Sequence, residues 1–257
     1  MRVSVCIITF NEEANIAATL ASVGGIADEV IVVDSGSTDG TVAIAREHGA
    51  QVFVELWKGY AAQKNSALQK ATGDWILSLD ADEQISPQLA ASIHAVKSAP
   101  SDPEFDGYMM PRRNVYFGRW LKHAGYYPDP KLRLVRRELA VFEARAVHED
   151  MRRPARVGRL HGDIIHNAYR RLEDLIEHSN RYSSLGAQMF VEKRGQAGFS
   201  FFNIVVRPAA RFFYAYFFRL GFLDGREGLL TLINHASYVS WKYAKAWELS
   251  RARAGRD

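Results

Sequence analysis

The sequence predicts an α/β fold built on a central, mostly parallel sheet, with a C-terminal helical extension. In the first hundred residues, short apolar runs typical of buried strands alternate with segments of helical periodicity. Such alternation is typical of parallel strands joined by crossover helices. The predicted strands cover residues 3–10, 29–34, 51–54 and 75–80, and the predicted helices cover residues 13–23, 41–48 and 60–71.

Local chemistry supports these boundaries. Asp39 lies just before the second helix, where its carboxylate can cap the first turn. Gly73 follows the third helix. Ser86 and Pro87 predict the start of a fourth helix, because serine caps helices and proline fits their first turn.

Composition favours one catalytic domain with a helical tail in a reducing compartment. The chain has 257 residues, of which 47% are hydrophobic, so it can bury one large core. The single cysteine, Cys6, excludes an internal disulfide. The chain enters a strand pattern at once, without the basic segment and apolar core of a signal peptide. We therefore expect a cytoplasmic protein.

Charge is distributed unevenly along the chain. Residues 1–100 carry 6 Lys and Arg against 12 Asp and Glu, whereas residues 101–257 carry 27 against 17. An acidic half followed by a basic half suggests a metal and nucleotide region joined to a region that meets an anionic partner. Nucleic acid, a phosphorylated glycolipid and an anionic membrane all satisfy this charge pattern.

The most informative stretch is an apolar strand that runs into the triplet Asp80, Ala81, Asp82. Two carboxylates one residue apart repel each other, so a fold that holds both at a strand end is expected to place a cation there. Carboxylate oxygens favour Mg²⁺ or Mn²⁺. We therefore expect one of these metals at this pair, with a phosphate-bearing substrate bound to it.

Topology predicts one ligand crevice. In an open parallel sheet, ligands bind beyond the carboxyl ends of the strands. Three polar loops leave those ends and are expected to converge. They contain Thr9, Phe10, Asn11 and Glu12 after the first strand, Asp34, Ser35 and Gly36 after the second, and Asp80, Ala81 and Asp82 after the fourth.

Aromatic and basic side chains mix after residue 105. This composition fits an acceptor-binding surface or a nucleic-acid stacking platform. No RNA-binding motif, repeat or low-complexity segment accompanies it, so we expect no nucleic-acid partner. Aromatic faces bind sugar rings and arginine binds phosphate, so the acceptor candidates are Trp120, His123, Tyr127 and Arg133, with core packing as the alternative for Trp120 and Tyr127.

The tail from residue 172 onward has a mostly helical pattern, and residues 199–208 and 211–219 are rich in aromatic side chains. Arginines and Pro208 interrupt these stretches, whereas a membrane span needs about 20 apolar residues. A basic, aromatic helix fits one that lies in the headgroup region of an anionic membrane. The alternative is a helix packed on the sheet or in an oligomer interface, and the sequence leaves the oligomeric state open.

Four motifs, in their order and spacing, resemble the family 2 inverting glycosyltransferases. They occupy residues 7–13, 31–41, 63–68 and 80–83. The likeness extends through residues 113–114, 120–123, 127–129, 132–134, 147–149 and 221–225. This larger set is similar to the lipopolysaccharide inner-core β-1,4-glucosyltransferase branch, which places a hexose on heptose. The resemblance covers nearly the whole chain.

The resemblance implies a GT-A fold, a nucleotide-binding sheet with the metal motif at its centre. The catalytic domain is then 1–170, with a nucleotide and metal half (1–100) and an acceptor half (101–170), and 171–257 is the basic, aromatic extension. The family pattern also implies a UDP-sugar donor. Its site residues are Thr9, Phe10, Asn11, Glu12, Asp34, Ser35 and Gly36 at the nucleoside, Lys64 at the diphosphate, Asp80 and Ala81 at the ribose or a metal-bound water, and Asp82 on the metal.

Inverting transfer needs a carboxylate base on the acceptor side. The candidates are Glu149 and Asp150. We favour Glu149, because the Val-His-Glu triplet of the branch ends there, and Asp150 stays open. His148 is placed to orient the base or reach the metal, with a core or surface histidine as the alternative. His161 and His166 resemble no zinc site, so the sequence gives them no metal role.

The leading hypothesis is a metal-dependent inverting hexosyltransferase that acts on lipopolysaccharide core at the inner face of the cytoplasmic membrane. A second hypothesis is transfer to a polyprenyl phosphate or other glycolipid. A third, from a different class, is a nonenzymatic membrane-surface protein with a decayed fold, against which the intact acidic motifs argue. A sugar-nucleotide pyrophosphorylase and a dinucleotide dehydrogenase are disfavoured, because the first loop lacks their glycines.

Overall fold

The computed structural model describes residues 1–143 and 150–254, which form two compact units. The first unit comprises Met1–Arg113 and Pro128–His166. The second unit comprises Asn114–Tyr127 and the chain from Asn167 onward. The helical tail predicted from residue 171 therefore groups with residues 114–127, which the sequence analysis placed in the acceptor half.

The first unit opens with parallel strands that alternate with helices. These elements are β1 (Val3–Thr9), α1 (Ile16–Val23), β2 (Glu29–Asp34), α2 (Thr41–Glu47), β3 (Gln51–Val54), α3 (Tyr60–Lys70) and β4 (Trp75–Asp80). The strands lie in the order β3-β2-β1-β4, all parallel. The predicted strands are confirmed to within one residue.

Helix starts follow the predicted chemistry at two places and differ at one. Asp39 accepts a hydrogen bond from the Thr41 N–H at 3.0 Å, and Ser86 Oγ accepts one from Leu89 N–H at 3.2 Å. The first helix begins at Ile16 instead of residue 13, because Glu13 is tied to a neighbouring loop. Its carboxylate accepts from the Gly40 N–H at 2.8 Å.

The rest of the first unit adds antiparallel strands. The elements are β5 (Glu83–Ile85), α4 (Pro87–Lys97), β6 (Gly107–Tyr116), β8 (Asp129–Arg136), β9 (Phe142–Glu143), β10 (Asp150–Met151), β11 (Val157–Arg159) and β12 (Ile164–Tyr169). The last residues of β6 and β12 belong to the second unit, which also contains β7 (Arg119–Trp120). Strand β8 pairs antiparallel with β4 and β6, and β12 pairs antiparallel with β5. The complete sheet is therefore mixed.

Alternate residues of the central strands pack into separate apolar clusters. Val5, Ile7, Leu77 and Leu79 share one cluster with residues of α1 and α4. Neighbouring positions of β1, β2 and β4 share the other with residues of α3, including Cys6, Ile31, Val33, Ile76, Ala67 and Leu68. Strands buried on both faces need the near-continuous apolar runs seen in the sequence.

The second unit is mainly helical. It contains α5 (Leu172–Arg194), a π-helical turn at Phe202–Val206, α6 (Arg207–Phe213), a second π-helical turn at Tyr214–Phe218, a 3-10 turn at Gly221–Asp224 and α7 (Gly225–Ala254). Helices α5 and α7 pack together, and Asn234 Nδ2 donates to Ser179 Oγ at 2.6 Å between them. Among the described helices, none combines the length and apolar character of a membrane span.

Candidate functional site

The sheet register brings three polar loops to one edge. Thr9 pairs with Asp34 across β1 and β2, and Ile8 pairs with Asp80 across β1 and β4. The carboxyl ends of three neighbouring parallel strands therefore meet there, which is where ligands bind in open α/β sheets.

Asp34 shapes the loop after β2. The side chain is fully buried, and its Oδ2 accepts hydrogen bonds from the N–H groups of Gly36 and Ser37, both at 2.8 Å. Its Oδ1 accepts from Ser37 Oγ at 2.5 Å. The family resemblance assigns Asp34 to the base or ribose, whereas this geometry engages both of its oxygens within its own turn.

The first loop is tied to the same turn. The Asn11 N–H donates to Ser37 Oγ at 2.8 Å, and Asn11 Oδ1 accepts from the Thr38 N–H at 2.9 Å. The Glu12 N–H donates to Thr41 Oγ1 at 2.7 Å. Phe10 stays 56% exposed, so its ring presents a flat apolar face at the edge of the loop.

Two hydroxyl groups beside Asp34 suit a ligand. Thr9 is buried, and its Oγ1 has no hydrogen-bond partner within residues 1–143 and 150–254. The same holds for Ser35 Oγ, whose atom is also inaccessible. Most buried polar atoms in proteins are satisfied, so hydroxyls without a protein partner at a strand end fit the polar groups of a nucleoside. Among the residues predicted to bind the nucleoside, Asp34 accepts hydrogen bonds within its own turn, whereas the hydroxyls of Thr9 and Ser35 can still bond to a ligand.

Asp80 lies between two cations. Its Oδ1 is 2.8 Å from Lys64 Nζ, and its Oδ2 accepts a hydrogen bond from Arg133 Nη2 at 2.7 Å. Burial alone would raise the pKa of Asp80, but the charges of Arg133 and Lys64 outweigh it and hold this pKa well below its usual range. The carboxylate therefore stays ionised at neutral pH.

A second carboxylate, Glu83, extends this network. It is fully buried, and its Oε1 accepts from Arg133 Nη2 at 2.7 Å and from Arg112 Nη1 at 3.2 Å. Arg112 Nη2 also donates to Asp129 Oδ2 at 2.7 Å. Arg133, which was predicted to bind the acceptor, is thus paired with Asp80 and Glu83. These carboxylates raise the pKa of Arg133, although burial alone would lower it. The sequence analysis gave Glu83 and Arg112 no role, although Glu83 directly follows the acidic triplet.

Asp82 contacts His166. The distance from His166 Nε2 to Asp82 Oδ2 is 3.2 Å, and both side chains are about four-fifths buried, with exposed fractions of 17% and 23%. The antiparallel pairing of β12 with β5 places His166 opposite Glu83, which brings the histidine to the triplet. The sequence analysis gave His166 no metal role. Asp82 and His166 are some 80 positions apart and meet only because their strands pair, so their spacing in the sequence does not predict the contact.

The pair Asp82 and His166 fits a divalent metal bound together with a phosphate. No group of three or more metal-ligating side chains lies together among the described residues. Mg²⁺ and Mn²⁺ sites that act on nucleotides use one or two protein ligands and complete their shell with phosphate oxygens and water. The Asp82 carboxylate suits either ion, and an imidazole beside it favours Mn²⁺ over the harder Mg²⁺.

A cavity of about 610 Å³ opens beside Asp80. That volume lies within the range of small-ligand sites. Asp150 belongs to its lining, whereas Glu149 lies outside the described residues, as does His148. The remaining lining side chains are mostly basic or apolar, and they include Lys64, Arg112, Lys131, Arg133, Phe142, Arg152 and Arg153.

The other predicted acceptor residues form a cluster within the second unit. The Trp120 and Tyr127 rings meet edge to face with centroids 5.1 Å apart, and Lys122 Nζ lies 4.4 Å from the Trp120 centroid. His123 Nδ1 is 2.8 Å from Asp224 Oδ1.

Asp224 anchors that cluster from a distant part of the chain. It is buried, and it also accepts hydrogen bonds from the N–H groups of Lys122 at 3.0 Å and His123 at 2.9 Å. From the sequence, Asp224 and Gly225 were singled out only as part of the family likeness at residues 221–225. The structure shows that this carboxylate organises residues 122–123, about a hundred positions earlier.

Sequence comparison identifies relatives across the whole chain. The model of "Glycosyl transferase family 2" matches residues 4–177, which is more than half of the chain. The lipopolysaccharide core biosynthesis glycosyltransferase LpsC of Rhizobium meliloti is 30% identical over 263 residues, covering 98% of this chain and 94% of the relative. An uncharacterized glycosyltransferase of Rickettsia typhi is 34% identical over 259 residues, covering 97% and 88%.

Structural comparison supports the fold assignment. The mannosyltransferase PcManGT from Pyrobaculum calidifontis, solved in complex with GDP-Man and Mn²⁺, superposes with a TM-score of 0.55 at 17% identity. The match covers 96% of this chain and 87% of the neighbour. The predicted GT-A fold with a C-terminal helical region is confirmed.

Proposed function

Since the chain belongs to glycosyl transferase family 2, we propose that it moves a hexose from a UDP-sugar to a hydroxyl group of a lipopolysaccharide core sugar, with Mg²⁺ or Mn²⁺ as cofactor. The observation that carries this proposal is the cluster at the end of β4. There Asp80 lies beside Lys64 and Arg133, and Asp82 lies beside His166. Strand β4 pairs with β1, so its end meets the loop that leaves β1 at the same edge of the sheet.

Asp82 and His166 are the residues that would hold the metal. Their partial exposure leaves room for the donor phosphates on the same ion. When bound, the metal supplies positive charge for the diphosphate that leaves. In PcManGT, Mn²⁺ and GDP-Man are present together, which supports a divalent metal in this fold.

The nucleoside is proposed to bind the loops after β1 and β2. Thr9 Oγ1 and Ser35 Oγ supply hydrogen-bonding capacity, Phe10 supplies a stacking face, and Gly36 allows close backbone approach. Asn11, Glu12 and Asp34 hold these loops in shape through the hydrogen bonds described above. Ala81 lies between the two acids with its side chain buried in the apolar core, so only its backbone is proposed to approach the ribose.

Lys64 and Arg133 serve the diphosphate through their partnership with Asp80. Both cations are buried, and Arg133 Nε has no hydrogen-bond acceptor among the described residues. Fixed cations in a water-poor site stabilise developing negative charge more than they would in water. The Asp80 carboxylate keeps them in place before the donor arrives and shares them with it afterwards.

The acceptor hydroxyl must lose a proton as it attacks the anomeric carbon. A carboxylate takes that proton while the bond to the nucleoside diphosphate breaks, and one such displacement inverts the anomeric centre. Asp150 lines the cavity, and Glu149 is the neighbouring candidate in the sequence. The base is therefore proposed to be one of these two, and paired variants distinguish them.

The likeness to LpsC and a cluster in the second unit support the proposed acceptor class. LpsC is a lipopolysaccharide core biosynthesis enzyme that covers almost the same length. The cluster of Trp120, His123 and Tyr127 offers aromatic faces and a polar ring edge of the kind that binds sugars. A lipid-linked acceptor implies that the protein works at the inner face of the cytoplasmic membrane, as a peripheral protein.

Calorimetric titration tests the proposal. UDP-glucose, UDP-galactose, GDP-mannose and UDP alone are titrated into the protein with Mn²⁺ and with a chelator. We expect binding of one uridine donor that depends on Mn²⁺. Binding of GDP-mannose alone would change the donor, and no metal-dependent binding of any nucleotide would contradict the proposed activity. Transfer assays with core oligosaccharide and with polyprenyl phosphate then separate the two acceptor classes.

A further inference from the structure

Residues 199–223 expose an apolar stripe that repeats every four residues. Exposed apolar side chains come in adjacent pairs, and each pair lies four positions after the one before. We call them the apolar ladder. Its members are Phe201 and Phe202, Val205 and Val206, Ala209 and Ala210, Phe213 and Tyr214, and Phe217 and Phe218.

Two π-helical turns, Phe202–Val206 and Tyr214–Phe218, account for this period. An α-helix has 3.6 residues per turn, so a repeat of four would drift around its surface. A π-helical turn is wider and absorbs the difference. Rings four residues apart consequently stack, with centroids 6.1 Å apart for Phe213 and Phe217 and 6.0 Å for Tyr214 and Phe218. Turns of this kind are frequent at functional sites.

The opposite side of the same segment is fixed to α7. Ser240 Oγ donates to the Ile204 carbonyl at 2.6 Å, Arg207 Nη1 donates to Tyr243 Oη at 2.8 Å, and Pro208 is buried. In the part of the second unit that the structure describes, the rings of the ladder side stay exposed, and Phe218 is 78% exposed. Contiguous apolar surface of this kind marks a binding surface.

Charge identifies what the ladder binds. Arg211 and Arg219 are exposed in this segment, and residues 199–223 contain no acidic residue. A second copy of the chain that docked through the same face would bring two sets of arginines together without a carboxylate in either segment. Phosphate groups of an anionic bilayer pair with arginine while the rings enter the acyl boundary.

We propose that the apolar ladder is an in-plane membrane anchor that selects anionic bilayers. Its rings lie at the boundary between headgroups and acyl chains, and its arginines lie at the lipid phosphates. The inference deepens the membrane-surface part of the proposed function, on which it rests for the lipid-linked acceptor, but it does not depend on the donor or the metal.

Vesicle co-sedimentation of the full chain tests the anchor. The vesicles contain phosphatidylglycerol with phosphatidylethanolamine, or phosphatidylcholine alone. We expect binding to the anionic vesicles that weakens with salt, because exposed charges are screened. The double variant Phe217→Ser with Phe218→Ser is expected to weaken binding to the anionic vesicles tenfold or more, because it removes two rings that the bilayer would bury. Arg211→Gln with Arg219→Gln should remove most of the salt dependence.

The control is Ile176→Ser with Leu185→Ser, which also replaces two exposed apolar side chains with serine, on α5 of the same unit. It should bind vesicles like the unmodified chain. Equal binding by the Phe217 and Phe218 variant, or no binding to anionic vesicles, would overturn the anchor. A dimer in sedimentation equilibrium that this variant abolishes, without vesicle binding, would assign the ladder to a second copy instead. Nucleotide binding without vesicles is measured on every variant, so failure of the donor site is recognised separately.

Discussion

The two units carry their charges in contrasting ways. In the first unit, carboxylates and cations alternate through a buried network that runs from Lys64 and Asp80 through Arg133 to Glu83. In the second unit, arginines stay exposed beside apolar side chains, as along residues 199–223. Buried charges demand exact partners, whereas exposed charges need only a complementary surface. Single substitutions should therefore act strongly in the first unit and weakly in the second.

The largest effect is expected at Asp82. Asp82→Ala removes the carboxylate proposed to hold the metal, so transfer should fall by about a thousandfold or more, together with Mn²⁺-dependent donor binding. Calorimetry with UDP-glucose and Mn²⁺ measures the binding directly. Glu47→Ala, an exposed acid at the end of α2, is the control and should leave both unchanged. Retained metal-dependent binding in Asp82→Ala would move the metal site elsewhere.

The second-largest effect is expected at the residue that acts as the general base. Glu149→Gln and Asp150→Asn each preserve size while removing a proton acceptor, and the variant of the true base should lose transfer by about 10²–10⁴-fold. Donor binding should persist in both, because the base acts on the acceptor. Single-turnover transfer assays at saturating donor measure the loss. Full turnover in Glu149→Gln would assign the base to Asp150, and full turnover in both would remove the pair from the mechanism.

The sequence predicted the first part of the fold well because its signals are local. Strands β1 to β4 are buried on both faces and appear as apolar runs, and Ser86 and Asp39 mark helix starts within three residues of where they act. The acidic triplet was predicted at a strand end for the same reason, since the apolar run of this strand stops at Leu79.

The partners of those acids could not be predicted from sequence patterns alone. His166 reaches Asp82 through the pairing of β12 with β5, and Asp224 reaches His123 across about a hundred residues. Contacts between residues so far apart in the chain produce no periodic pattern in the sequence. The assignment of Arg133 to the acceptor also rested on residue type, whereas its position on β8 places it against Asp80.

Arg133 tests how far the buried network depends on each partner. Arg133→Met should lower the free energy of unfolding by about 3–5 kcal/mol, because it leaves Glu83 and Asp80 without their shared cation. Urea denaturation measures the change. The double variant Arg133→Met with Glu83→Met should recover part of the loss. A single variant as stable as the unmodified chain would show that solvent or another cation compensates.

Acid sensitivity sharpens the same comparison. The pKa of Asp80 in the folded chain is depressed, so its contribution to stability is complete above the unfolded value of about 3.9 and is lost as pH falls through the folded value. Stability should therefore decline as pH falls below about 4, and the decline should be shallower in Asp80→Asn. Urea denaturation at several pH values compares the slopes. Parallel slopes would mean that other carboxylates govern acid unfolding.

The smallest predicted effect lies in the second unit, where Asp224 is the buried exception among exposed charges. Asp224→Asn keeps the shape of the side chain but places an N–H₂ group against N–H donors, so the free energy of unfolding should fall by about 1–3 kcal/mol. The orientation of His123 should loosen as well, raising the KM for the acceptor while the KM for the donor stays unchanged. Glu192→Gln, at an exposed position of α5 in the same unit, is the control for the charge change. A variant with normal stability and a normal acceptor KM would show that the His123 cluster holds its geometry without this carboxylate, and the contrast between buried charges in the first unit and exposed charges in the second would then have no exception.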